Sequence, residues 1–171
     1  MDNITLIGFM GTGKTETAKM LAVQTNRKYI SVDDAIEKKE AQSISDIFQD
    51  KGEPYFRKIE KETIREISSH DGQVIDAGGG AVLDEENMKN LSSCGLVVCL
   101  WAEPEEIYER VKKDTHRPLL KADDPLRKIK DLLEKRRPFY KKASIHIDTT
   151  GMRVKSVAKK IKEILDDKTN V

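Results

Sequence analysis

Gly8-Phe9-Met10-Gly11-Thr12-Gly13-Lys14-Thr15 satisfies the pattern G-x-x-x-x-G-K-[ST]. It follows an apolar run at residues 4–7 and opens a helical stretch, the strand, loop and helix order that a phosphate-binding P-loop requires. A random chain of this length would show the pattern roughly once in a few hundred cases, so a plain glycine-rich turn is set aside. Backbone N–H groups of Gly11, Thr12 and Gly13 would curl around phosphate oxygens, with the positive end of the following helix behind them. Lys14 would reach the β- and γ-phosphates as a point charge. Thr15 would offer its hydroxyl to Mg²⁺, and the ligand expected is ATP with that ion.

Further candidates follow other apolar runs. Asp76-Ala77-Gly78-Gly79-Gly80 comes after residues 73–76; its glycines let a ligand approach the backbone, and Asp76 stands where a metal-side carboxylate is expected. Asp76 and Gly79 also fit D-x-x-G, but the chain has no N/T-K-x-D segment to read guanine, and a GTPase is set aside. Asp33 and Asp34 open a helix; Asp34 needs no more than that role, whereas Asp33, at a strand's carboxyl end, can take a proton or hydrogen bond from an acceptor hydroxyl. Arg57 lies beside the apolar positions Phe56 and Ile59, and Arg136 lies in a basic helix. Arginine binds carboxylates in bidentate fashion, yet spacing alone does not connect these two.

The elements that must position these groups alternate. Strands are expected at residues 4–7, 29–32, 73–76, 95–101 and 145–148, and helices at 13–25, 33–40, 44–49, 53–69, 85–92, 104–113, 125–140 and 153–165. Alternation predicts an α/β fold with a five-stranded parallel sheet, helices on both faces and ligands beyond the carboxyl ends of the strands. Residues 1–171 are read as a single domain, without repeat or linker. Residues 114–124, polar and carrying Arg117 and Lys121, interrupt the alternation and read either as a surface loop or as a mobile lid.

Lys and Arg number 31 against 30 acidic residues, a net charge of +1, so no global field draws in nucleic acid or anionic membrane. The N-terminus lacks the pattern of a signal peptide and no apolar run approaches ~20 residues. A cytoplasmic monomer is expected, with Cys94 and Cys99 as buried free thiols.

The P-loop, Asp33 after the second strand, GExxFRxxE around Arg57, GGG at Gly78 to Gly80, RPLL from Arg117 and RxPxY from Arg136 occur in one order along nearly the whole chain. In this the chain closely resembles the shikimate kinases. The resemblance implies a three-layer P-loop kinase fold with a mobile lid, phosphorylating the 3-hydroxyl of shikimate from ATP. It implies shikimate binding by Asp33, Arg57, Gly78, Gly79, Gly80 and Arg136, with Glu60 bonded to Arg57. It places Arg117 on the ATP phosphates, Arg110 near the adenine and, on a looser match, Arg153 there too. Lys14, Asp33 and Arg117 would be catalytic. One departure stands out: many members have D-x-D after the second strand, and here the first Asp is Ser31 while Asp76 precedes the glycines. The metal-side carboxylate is therefore expected at Asp76, beside Thr15. A gluconate-type kinase and a nucleotide-binding regulatory protein are the alternatives.

Overall fold

The computed structural model describes residues 2–112 and 123–169. In β1 (Asn3–Gly8) every residue is buried, and alternation sends Ile4 and Leu6 to one face of the sheet, Ile7 and then Phe9 to the other. Such a strand belongs in the middle. With β2 (Lys28–Ser31), β3 (Gln73–Asp76), β4 (Gly95–Trp101) and β5 (Ile145–Asp148) it forms a five-stranded sheet of order β2-β3-β1-β4-β5, parallel throughout.

Helices cover both faces. On one, α1 (Lys14–Thr25) and α7 (Val154–Thr169) pack Ala18, Leu21, Val157 and Ile161 against Ile4, Leu6 and Val98. On the other lie α2 (Val32–Glu40), α3 (Ile44–Ser68), α4 (Glu85–Ser93), α5 (Pro104–Val111) and α6 (Pro125–Tyr140), contributing Ile36, Ile47, Phe56, Ile64, Leu91, Ile107 and Leu133. Burying each such side chain contributes about 1.5–3 kcal/mol. The layered α/β architecture is the one expected. All strands end at one edge, where β1 has β3 and β4 as neighbours and the P-loop leaves the sheet.

Differences from the expected elements have local causes. Val32 opens α2 instead of closing β2, because the Ser31 hydroxyl accepts the Asp34 N–H and caps the helix. The helices expected at 44–49 and 53–69 run as α3, interrupted where Gly52 takes φ 80° and ψ 170° just before Pro54. A 3₁₀ turn, Ala81–Leu83, follows the glycines, and α7 runs past residue 165. Cys94 and Cys99 are both free, but only Cys99 is buried; Cys94 is half-buried and donates to Leu91 O. Residues 114–124, expected as a surface loop or a lid and carrying Arg117 and Lys121, fall almost wholly outside the described residues; Asp124, at their end, caps α6 by accepting the Arg127 N–H. No described helix is long and apolar enough to cross a membrane.

Candidate active site

The loop after β1 is held in shape from within and from behind. Gly13 takes φ 88° and ψ 18°, a left-handed conformation that a Cβ disfavours, and from it the chain turns into α1. Phe9 O accepts from Lys14 Nζ at 3.1 Å and from Thr12 Oγ1 at 2.7 Å. From behind, Arg110 Nη1 donates to Gly11 O at 3.2 Å and Nη2 to Thr149 O at 2.7 Å, while Glu106 bonds the Nε side. The buried Thr149 hydroxyl stands 3.3 Å from Thr12 O and 2.9 Å from Trp101 O. Arg110 thus braces the loop on its α5 side.

In front of the loop is a cavity of about 490 Å³, lined by Met10, Gly11, Gly13, Lys14, Thr15, Glu16, Asp33, Asp76, Gly78, Gly79, Gly80 and Arg136. Hollows of about 630 and 710 Å³ lie elsewhere, but this one gathers the ends of β1, β2 and β3. Convergence of chemistry, not size, singles it out.

The glycine loop touches a different side chain at each position. A Cβ on Gly78 would stand 2.9 Å from Asp33 Oδ1, and one on Gly80 would stand 2.7 Å from both Nη atoms of Arg57. At Gly79 the neighbours are Gly8 O at 3.3 Å and Arg136 Nη1 at 3.6 Å. Any side chain on this loop would therefore push apart the groups it gathers. Arg57 is held by its flanks: Glu53 Oε1 accepts from Nε and Nη2 at 3.2 Å each, and the buried Glu60 accepts from Nη1 at 2.8 Å. Arg136 Nη1 donates to Gly79 O at 3.2 Å, and its guanidinium lies 5.5 Å from the Phe9 ring centroid. Two arginines separated along the chain by β3, α4, β4 and α5 thus meet at one loop, which spacing alone did not indicate.

On the metal side, Thr15 Oγ1 donates to Asp76 Oδ2 at 2.6 Å, and the Tyr29 hydroxyl stands 3.5 Å from the same oxygen. Ser31 and Asp76 are Cα partners across the β2–β3 pairing. A hydroxyl and a carboxylate are hard oxygen donors, which suits Mg²⁺. No cluster of three or more His, Cys, Asp or Glu able to hold a metal exists among the described residues.

Electrostatics separates the carboxylates. The walls around Asp33 and then the charge of Asp76 push its carboxyl up, while Lys14 pulls it down. Its side chain nonetheless opens to solvent in the cavity, so the upward push is moderated by water. Burial raises Glu60 even beside Arg57. Burial opposes the charge on Arg57, but Glu60 and Glu53 outweigh it and hold the guanidinium above its ordinary value. Tyr29, chiefly by burial and next by Asp76, is pushed up to about 12.

With this geometry in place, a family model described as shikimate kinase matches residues 10–166. The chain belongs to the shikimate kinase family. A shikimate kinase of Thermodesulfovibrio yellowstonii is 48% identical over 94% of this chain and 93% of its own length. One from Thermus thermophilus is 45% identical, with 95% and 89% covered. Among solved structures, shikimate kinase from Acinetobacter baumannii in complex with shikimate has a TM-score of 0.92 at 34% identity, covering 98% of this chain and 94% of that one. Shikimate kinase from Aquifex aeolicus has a TM-score of 0.86 at 38% identity, with 98% of each chain covered.

Within that family frame, Gly11, Gly13, Lys14, Thr15, Asp33, Asp76, Gly78 to Gly80 and Arg136 line one cavity and Arg57 lies against its Gly80, while Thr12 is buried within the loop with its hydroxyl on Phe9 O. Arg110 lies on the far side of the P-loop, Arg153 is exposed just before α7, and Arg117 lies outside the described residues. Two residues that sequence reasoning passed over are structural partners of the site. Thr149 ties the P-loop to β4, and nothing in its spacing signals this. Tyr140 donates to Gly79 O at 3.1 Å. It closes the RxPxY pattern, a signal that was available but attached to no role.

Proposed function

We propose that the chain transfers the γ-phosphoryl group of ATP to the 3-hydroxyl of shikimate, giving shikimate 3-phosphate for chorismate and aromatic amino-acid biosynthesis. The observation that carries this is the meeting of two arginines and Asp33 around Gly78 to Gly80, on the wall of the cavity that also holds Lys14 and Thr15. A polyhydroxylated acceptor needs hydrogen-bonding groups; an acceptor with a carboxylate needs the arginines as well. A neutral-sugar kinase would have no use for both.

In the mechanism, Gly11 to Thr15 hold the phosphates through backbone N–H groups and the Lys14 ammonium. Arg57 and Arg136 take the acceptor carboxylate, which orients the ring, and Asp33 with the Gly78 to Gly80 backbone takes its hydroxyls. Asp33 then orients the 3-hydroxyl for in-line attack or accepts its proton. Lys14 stays on the transferring group as charge spreads over its oxygens, and Arg117 is assigned to the same group. Mg²⁺, when bound, neutralises charge on the β- and γ-phosphates, and Thr15 and Asp76 are the residues that would hold it and its water. Adenine is assigned to the Arg110 and Arg153 side. The two unpaired thiols fit a reducing cytoplasm.

A coupled assay of ADP release tests the reading. Release should require shikimate and Mg²⁺ together; ADP formation that is indifferent to shikimate, or absent with it, would overturn the proposal.

A further inference from the structure

We infer that Tyr140 is a positioning residue for the acceptor loop, its hydroxyl fixing the Gly79 carbonyl and thereby the direction of the Gly80 N–H. This rests on the proposed function for its consequence, but the geometry stands without it. Tyr140 is 2% exposed, at the end of α6 and one turn beyond Arg136. Its Oη lies 3.1 Å and Arg136 Nη1 3.2 Å from the same acceptor, Gly79 O. Burial pushes the phenol up to about 12, so it remains a donor throughout the working pH range.

The Gly79–Gly80 peptide is trans, so its carbonyl and N–H point in opposite directions. A carbonyl pinned towards α6 therefore sends the Gly80 N–H to the other side of the loop. Among the described residues the N–H groups of Gly79 and Gly80 have no acceptor, while Gly78 O and Gly80 O are already engaged by Ala81 N–H and Leu83 N–H. The free donors are those an acceptor hydroxyl can use, and their direction depends on what holds Gly79 O. Glycine at each position supplies no steric restraint of its own.

A division of labour follows on α6. Arg136 has five N–H donors to divide between Gly79 O and the acceptor carboxylate, so its hold on the carbonyl shifts when the guanidinium turns to the acceptor. Tyr140 has no such second duty. It keeps the carbonyl satisfied while Arg136 turns to the acceptor. A buried tyrosine does need some partner for its hydroxyl, and a role in packing alone is the reading that the experiment must separate.

Tyr140→Phe keeps the ring and removes the bond. In the acceptor-free protein, amide NMR should show the Gly79 and Gly80 signals moved while those of Gly11 and Gly13 stay in place; unmoved Gly80 signals overturn the inference whatever the substrate proves to be. In kinetics the KM for shikimate should rise roughly 5- to 30-fold, the range expected for a lost hydrogen bond to a carbonyl left short of donors. The KM for ATP should change less than about twofold, as should acceptor-independent ATP hydrolysis. A packing role would lower Tm and the active fraction without separating the two KM values, and that result would also overturn it. Failure of the wild-type protein to use shikimate would refute the proposed function and leave the NMR outcome to decide this one.

Discussion

Replacing Asp76 by Asn removes one charge from the metal side of the cavity and leaves the shape almost unaltered. Asp76 is 8% exposed and accepts the Thr15 hydroxyl at 2.6 Å, a charge-assisted bond. While the Thr15 hydroxyl directs its proton at the carboxylate, its oxygen presents a lone pair outward, the arrangement that a metal needs. An Asn can turn its amide nitrogen to the same hydroxyl and take up that lone pair. The carboxylate also attracts the ion directly: charges of +2 and −1 about 4.5 Å apart across one water interact by about 2 kcal/mol at the dielectric constant of water, and by more where solvent is displaced. Outer-shell partners of a metal typically contribute about 10- to 100-fold in affinity. The two scales agree, since about 2 kcal/mol is about 30-fold.

Asp76→Asn should therefore weaken the apparent affinity for Mg²⁺ roughly 10- to 100-fold, read as the free-Mg²⁺ dependence of turnover at fixed ATP and, independently, by calorimetric binding of Mg²⁺–ADP. Adding Ser31→Asp should recover much of the loss. Residue 31 is the registered partner of Asp76, and Asp there can still cap α2 as Ser31 does. An Asp76→Asn protein with Tm preserved and Mg²⁺ affinity within twofold of the original would refute the reasoning.

Gly80→Ala places a Cβ where Arg57 Nη1 and Nη2 stand at 2.7 Å; the backbone at φ −97° tolerates alanine, so the effect is one of contact alone. Arg57, tied to Glu53 and Glu60, must be displaced, and a shift on the order of 1 Å should raise the shikimate KM by about 10- to 100-fold with little change in Tm or ATP KM. The pH dependence of kcat/KM for shikimate should show an acid limb above the ordinary carboxylate range, because surrounding walls and Asp76 hold the Asp33 proton more firmly. Activity is lost as pH falls through that limb, where the base becomes protonated; Asp33→Asn should lower the rate and abolish the limb, and a limb that persists in the variant would acquit Asp33 as its source.

Much of this was legible because parallel strands end together. An apolar run followed by Gly, Asp or Lys marks a strand's carboxyl end, and the P-loop, Asp33 and Asp76 to Gly80 were located that way. The meeting of Arg57 with Arg136 was not legible from spacing, since it depends on α3 and α6 packing over the same end of the sheet. Val32 misled for a local reason: a β-branched residue after a strand reads as strand, while the cap that ends β2 is a single bond from the Asp34 N–H to the Ser31 hydroxyl oxygen. Tyr140 was opaque in another way. A buried tyrosine at a helix end looks like core, and only the partner of its hydroxyl distinguishes it.

On the proposed reading, with the metal-side carboxylate at Asp76, the metal side and the glycine loop differ in how much change they tolerate. Neighbouring strands lie about 4.8 Å apart, so moving a carboxylate from residue 31 to its partner at 76 shifts it by less than about two water diameters. An ion that keeps several waters tolerates such a move by exchanging which of them is held, whereas an ion caged in direct protein ligands would not. The acceptor side has no such tolerance. There Asp33, Arg57 and Arg136 crowd against Gly78, Gly80 and Gly79 with less than a methyl group to spare at two positions. It follows that variation in this chain's reaction should be easiest on the metal side, where water adjusts, and hardest in the glycine loop, where backbone and guanidinium groups meet without an intermediary.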